Sequence, residues 1–389
     1  KPASFYDVSL KVISTHCDSK GGVLASCDTD IMTDFRDHYR YVWPRDAAMC
    51  VSVLIKAGLP GYGRRYLQFC SKAISDRGFF WQRYRPDGTQ GSGWHDPNLP
   101  EGEYPIQQDQ LSLSLVTVLD YAEATRDFDL VQEVYTGFIR KGAKFIDSYR
   151  TQGGKLVKPS FDLWEERRGM FTFTQVVSSL ALMSAAKLAW LFGENEAFDF
   201  SQAALELLDS FGFCRGIAAC GHDADWTEDA SLFLALVFID RIEKVACSFF
   251  SEEMQSKARP LFDLLSTRGF STWKRLEAAL MVYTSKGRSG IARYTGDWYQ
   301  RPEGGHEFPG NPWFVTTGWY VMSGLLNGSL DASQGEKWME WFRNNSLGPG
   351  MLSEQLNGLT GEPISVLPLV WSHAAYVDLA HAVKNSLSL

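Results

Sequence analysis

The chain has 389 residues, 45% of them hydrophobic and 22% charged, with a formal net charge of −8. That apolar content excludes intrinsic disorder, and scattered Lys and Arg on an acidic chain exclude a nucleic-acid partner, which needs a basic track for phosphates. The longest uncharged stretch, residues 169–186, carries Thr172, Thr174, Gln175, Ser178, Ser179 and Ser184, which excludes a membrane span of about 20 mostly apolar residues.

Apolar residues recur at three-and-four spacing along most of the chain, as at Leu115, Val118, Leu119 and Ala122 or Tyr376, Leu379, Ala380 and Val383. In chain order this predicts helices over 4–16, 45–57, 61–75, 107–126, 128–150, 172–192, 198–211, 228–243, 252–265, 273–285, 313–327, 332–345 and 370–386. Alternating apolar runs are rare, so no sheet of more than two or three short strands is expected. Four segments rich in Gly and Pro, 76–105, 151–169, 286–312 and 346–368, read as long loops. They hold Trp81, Trp94, Trp164 and Trp298 beside Arg, Asp and Glu. Loops that concentrate tryptophan are ordered, and long ordered loops build sites. No low-complexity linker divides residues 1–389, which read as a single domain.

Seven cysteines, none in a CxxC pair, read as reduced small hydrophobes rather than zinc ligands. They point to a reducing compartment, hence a cytoplasmic location. No HExxH, GxGxxG, P-loop or Gly-x-Ser-x-Gly pattern is present, so neither a metal nor a cofactor is expected.

Three motifs carry candidate chemistry. Tyr39–Asp46 reads YRYVWPRD, and Pro44 suits a first helical turn. Arg45 and Asp46 then stand at a helix entrance beside three aromatics. Such a group binds a sugar through its hydroxyls and its apolar face, or is simply a helix cap with a surface Arg. Asp162–Arg168 reads DLWEERR. Its acids either complement the dipole of the following helix or include an acid kept protonated by Trp164 and by repulsion between Glu165 and Glu166. Glu354, in MLSEQ, is a solvated loop acid or the partner of Glu165, since glycoside hydrolysis needs two carboxylates flanking the bond. Supporting segments are Trp94-His95-Asp96, Gln107-Gln108-Asp109, Arg293-Tyr294, Gly310–Phe314 and Trp371-Ser372-His373, with His373 most simply a satisfied helix histidine.

YRYVWPRDAAM (Tyr39–Met49), DLWEERRGMFTFT (Asp162–Thr174), GNPWFVTTGWY (Gly310–Tyr320) and LSEQ (Leu352–Gln355) together resemble glycoside hydrolase family 15, the glucoamylase family, in its bacterial and archaeal form. The resemblance implies an all-α fold, an (α/α)6 toroid with the site at one mouth. It implies an inverting exo-hydrolase that releases glucose from the non-reducing end of an α-glucan or α-glucosyl disaccharide. By position, Glu165 is the general acid and Glu354 the general base. Arg45 and Asp46 hold the terminal glucose, and Tyr39 and Trp43 line the floor. Glu166 and Arg293 contact the sugars, and Trp313 flanks the next subsite. Trp94, Trp164 and Trp371 complete the substrate-binding set. Bacterial relatives usually carry an N-terminal β-sandwich, whereas this chain begins at or just before the first expected toroid helix, either trimmed or a lone catalytic domain. Three readings stay open: an α-1,4 or α-1,6 exo-glucosidase, a trehalase or isomaltose glucohydrolase on the same fold, and a non-catalytic glucan-binding module.

Overall fold

In the computed structural model, residues 3–29, 37–210, 212–217, 223–284 and 287–387 are described. Ser4 opens the first helix. Its hydroxyl accepts the Asp7 N–H at 3.2 Å while the Asp7 carboxylate accepts the Ser4 N–H at 3.1 Å, a capping box. The helices that follow are α1 (Phe5–Thr15), α2 (Pro44–Lys56), α3 (Pro60–Ala73), α4 (Gln108–Thr125), α5 (Phe128–Glu133), α6 (Lys141–Ser148), α7 (Thr172–Leu191), α8 (Glu196–Asp209), α9 (Ser231–Cys247), α10 (Glu252–Leu280), α11 (Phe314–Leu326), α12 (Ala332–Asn344) and α13 (Val370–Ser386).

Helices α2, α4, α7, α9, α11 and α13 each pack on the next, and α13 returns to α2, closing a ring. Helices α1, α3, α5–α6, α8, α10 and α12 wrap it, which makes the fold an (α/α)6 toroid. Composition decides which helix goes inside. Helix α7, TFTQVVSSLALMSAAKLAWL, carries a single charge, Lys187, and is almost entirely buried. Outer α12 buries only Gly335, Trp338 and Phe342, the single stripe of a surface helix.

Two helix expectations need correction. The segments 252–265 and 273–285 form one helix, α10, with Pro260 inside it. Pro260 is exposed, so water can satisfy the carbonyl whose helical bond the ring removes. The helix stops at Leu280 because Met281-Val282-Tyr283-Thr284 is β-branched and aromatic and pairs as a strand instead. The stretch 128–150 splits into α5, a π turn over Tyr135–Arg140 and α6. Gly137 sits inside the π turn, where an α-helix is least favoured.

The sheet expectation is also corrected. Strands β1 (Ser160–Phe161) and β2 (Arg168–Gly169) form a hairpin. Strands β3 (Met281–Thr284), β4 (Gly287–Ala292), β5 (Pro312–Trp313), β6 (Gln355–Leu356) and β7 (Pro363–Ile364) form a five-stranded antiparallel sheet. Three of its strands are two residues long, too short for alternation to show. Its register places Ile291 opposite Trp313, and Trp313 opposite Gln355. Segments far apart in the chain, those of Arg293, Trp313 and Glu354, are thereby fastened side by side. Gly290 is required here: at φ 110° a Cβ would stand 2.7 Å from Thr317 Oγ1.

Connections from inner to outer helices are short, residues 57–59, 126–127, 192–195, 248–251 and 327–331. Connections from outer to inner helices are long and lie together over the N-terminal ends of the inner ring. At the opposite end, Asp120 of α4 pairs with Arg241 of α9 and accepts from Ser52 of α2 at 2.5 Å, while Lys56 of α2 reaches Asp378 of α13 at 2.7 Å. Cys50, Cys70 and Cys214 are buried, whereas Cys27 and Cys247 are exposed, so the small-hydrophobe reading holds for only part of the set. Cys220 lies outside the described residues. Among the described residues, no helix is long and apolar enough to cross a membrane.

Candidate active site

The long loops enclose a cavity of about 330 Å³ at the mouth of the ring. The twelve residues expected to act in catalysis or substrate binding line it, Tyr39, Trp43, Arg45, Asp46, Trp94, Trp164, Glu165, Glu166, Arg293, Trp313, Glu354 and Trp371, whereas the loop tryptophans Trp81 and Trp298 do not. Asp37, His38, Arg83, Leu163, Tyr299 and Leu369 join them. Below, Trp319 of α11 fills the ring, 1% exposed, against Trp164 and Trp371, with ring centroids 6.0 and 5.5 Å away. Trp164 and Trp371 line the cavity, and Trp319 packs behind them outside its lining.

Glu165 stands on a tight turn built by Asp162. The Asp162 backbone carbonyl accepts the Glu165 N–H at 3.0 Å, and its carboxylate accepts the N–H groups of Glu166 and Arg167 at 2.9 and 3.2 Å. Glu165 itself has φ 66°, the left-handed region that non-glycine residues rarely occupy. Such strain persists only where surrounding contacts over-determine it. Those contacts are specific. Arg45 Nη2 donates to Oε1 at 3.0 Å, Gln82 Nε2 to Oε2 at 2.6 Å, and the Trp94 indole N–H to the Glu165 carbonyl at 3.3 Å. Arg45 bonds three partners at once, adding Asp46 at 2.9 Å and the Leu163 carbonyl at 3.0 Å, which uses three of its five N–H donors.

Glu354 is held by a separate set. Tyr39 donates to Oε1 at 3.0 Å, and Ser365 and Gln355 donate to Oε2 at 2.5 and 3.2 Å. The Tyr39 hydroxyl also meets that of Tyr299 at 3.0 Å. Burial pushes the Glu354 carboxyl above its usual range, and the three hydrogen bonds oppose that rise only in part. His373 supports this loop as a satisfied core histidine. Its Nε2 accepts the Leu352 N–H at 3.1 Å, its Nδ1 lies 3.1 Å from the Ser9 hydroxyl, and burial lowers its pKa to about 3.

Glu166 faces away from its neighbour. Arg293 donates to it at 2.8 Å, Tyr294 at 2.5 Å and Arg167 at 2.9 Å. Burial pushes Glu166 upward, but these donors outweigh it and hold the carboxyl below its usual range. The expected repulsion of Glu165 by Glu166 is thus answered by dedicated cations. Arg293 is pinned in turn by Asp297 at 2.7 and 2.8 Å and lies 4.8 Å from the Trp313 ring centroid.

Beneath Arg45 lies an acidic layer. Burial raises Asp46 to about 6, Asp109 to about 7 and Asp162 to about 6, with Arg45 opposing the rise at Asp46 and Asp109. Sequence reasoning missed Gln82, Arg83 and Tyr299. The available signal was a polar pair, Gln82-Arg83, inside the aromatic run Phe79-Phe80-Trp81…Tyr84, where a sequence period alone predicts no burial.

A family model for glycosyl hydrolases family 15 matches residues 8–340. The chain belongs to that family. Its members are glycosidases, which act on glycans. Among curated proteins, the chain is 25% identical over 398 residues to an uncharacterized glycosyl hydrolase of Methanocaldococcus jannaschii, covering 96% of this chain and 55% of the relative. It is 28% identical over 217 residues to Trehalase 2 of Sulfolobus acidocaldarius, covering 50% of this chain and 36% of that protein. Among solved structures, a bacterial glucoamylase complexed with acarbose superposes with a TM-score of 0.72 at 21% identity, over 99% of this chain and 56% of that one. The glucoamylase of Saccharomycopsis fibuligera gives 0.66 at 16% identity, over 99% and 95%. At these identities the structural likeness establishes the fold.

Proposed function

We propose that the chain is an inverting, exo-acting α-glucosidase that removes single glucose units from the non-reducing ends of α-gluco-oligosaccharides, and that residues 1–389 act as one catalytic domain. The observation that carries this reading is the presence of two carboxylates, Glu165 and Glu354, on the wall of one cavity, each fixed by its own donors. A non-catalytic module has no use for that arrangement.

In this mechanism Glu165 gives its proton to the glycosidic oxygen as the C1–O bond breaks, and becomes a carboxylate. A water adds its oxygen to C1 and gives a proton to Glu354. Inversion requires the carboxyls to stand about 6.5–9.5 Å apart, so that the water fits beside the sugar. A base must be ionised to work. Tyr39, Ser365 and Gln355 favour that state at Glu354 against its burial. Arg45 and Asp46 present buried polar groups to the hydroxyls of the terminal glucose, which favours attack at a chain end. Trp313, Arg293 and Glu166 bound the side that receives the leaving sugar.

Glucose release from maltose, isomaltose and α,α-trehalose in parallel tests the reading. Release from maltose or isomaltose is expected, and glucan binding without release from any would leave the module reading. Release from trehalose alone would favour the second reading, a trehalase, which the likeness to Trehalase 2 supports.

A further inference from the structure

We infer that Gln82 is a positioning residue for the general acid: it orients the Glu165 carboxyl and supports the negative charge that appears there when the proton leaves. The inference rests on the assignment of Glu165 as the acid. It starts from an amide whose orientation is not free. Gln82 is 4% exposed. Its Oε1 lies 3.1 Å from the backbone N–H of Trp94. That group can only donate, so the atom facing it is the oxygen, and the NH2 is left pointing at Glu165 Oε2, 2.6 Å away.

The Gln82 backbone is fixed as well. Its carbonyl accepts Gln110 Nε2 at 2.9 Å, and the same nitrogen donates to Gln107 Oε1 at 2.9 Å. Gln107 Nε2 then donates to the Asp162 carbonyl at 3.0 Å, the oxygen that accepts the Glu165 N–H. The bonds run from the Glu165 carboxyl through three glutamines back to the Glu165 backbone. Gln82 also ties the Trp94 segment, whose indole holds the Glu165 carbonyl, to the same carboxyl.

The geometry has a chemical consequence. Arg45 takes a lone pair on Oε1 and Gln82 one on Oε2. Rotation of the carboxyl about its Cγ–Cδ bond is blocked, and the acidic proton is confined to the edge that neither donor occupies. When that proton passes to the glycosidic oxygen, the Gln82 bond becomes charge-assisted, and such bonds are roughly twice as strong as neutral ones. The interaction is therefore stronger in the transition state than in the ground state, which is the condition for raising turnover.

The effect should depend on the leaving group. A disaccharide needs the acid, whereas α-glucosyl fluoride needs little protonation. Gln82→Leu keeps much of the bulk and removes both the acceptor for the Trp94 N–H and the donor to Glu165. Gln82→Met keeps the length and removes both. Each should lower kcat on the best disaccharide by about 10–100-fold, the worth of one hydrogen bond to a charged group. The loss on α-glucosyl fluoride should stay below about threefold, since general acid catalysis contributes little there. Equal losses on both substrates in both variants would make Gln82 a scaffold residue and overturn the inference, as would unchanged kcat on the disaccharide. A wild-type enzyme inactive on the fluoride and on every α-glucoside would instead overturn the proposed function, and this inference with it.

Discussion

Ser365 offers a test of the proposed base through pH. It accounts for the shortest of the three hydrogen bonds to Glu354, 2.5 Å from Oε2, and its backbone sits at φ 66°. Glycine adopts that φ without strain, so Ser365→Gly removes the hydroxyl, with its bond to Glu354 and the one it accepts from Gln300 at 3.3 Å, and leaves the backbone unstrained. A hydrogen bond to a charged group contributes about 1.5–3 kcal/mol, and 1.36 kcal/mol moves a pKa by about one. Full loss would therefore raise the Glu354 carboxyl by about 1–2 pH units. The carboxyl lines an open cavity, where water replaces part of the lost bond, so the lower end, about one pH unit, is expected. The sign follows from the role. Glu354 works ionised, its pKa is already raised by burial, and a further rise moves the acidic limb of kcat/KM towards neutral pH. Initial rates between pH 3 and 8 on one disaccharide read this out. Activity on the acidic limb should fall about tenfold at fixed pH, with the basic limb unmoved. An acidic limb that stays in place, or moves to lower pH, would refute the assignment of Glu354 as the base.

Four further outcomes follow from the same contacts. Glu354→Gln should lower turnover by about 10²–10⁴ on every substrate, while Glu165→Gln should do so on disaccharides and much less on α-glucosyl fluoride. Asp46→Asn should lower kcat/KM well over tenfold while leaving the melting temperature within a few degrees, since a site built on hydroxyl hydrogen bonds suffers when one buried partner is changed. Trp319→Ala should destabilise the fold by about 3–5 kcal/mol in denaturant titration, the usual cost of emptying a buried aromatic site. Asp109, raised by burial to about 7, binds its proton more tightly folded than unfolded, so its contribution is present at low pH and lost as pH rises through 7. Asp109→Asn should therefore gain stability relative to wild type at pH 8, on the order of 1–4 kcal/mol, and gain little at pH 4.

The inner ring was legible because α7 and α11 are apolar over whole turns, a pattern only burial explains. The junctions were less so. Residues 266–272, with Gly269 among them, read as a break, yet they continue α10, where Gly269 is buried. The five-stranded sheet was invisible because its pairings are long-range and several of its strands span only two residues. At the site, the acids and tryptophans announced themselves by clustering in loops. Gln82 and Tyr299 did not, because their importance comes from what they touch across 83 and 260 residues of chain. A polar side chain acquires that meaning only once the fold has removed its access to water.

The most direct test of the central claim is the anomer of the first glucose released from an α-linked substrate, followed by NMR before mutarotation. The account predicts β-glucose, from a water delivered by Glu354 to the face opposite the departing sugar. α-Glucose as the initial product would contradict it.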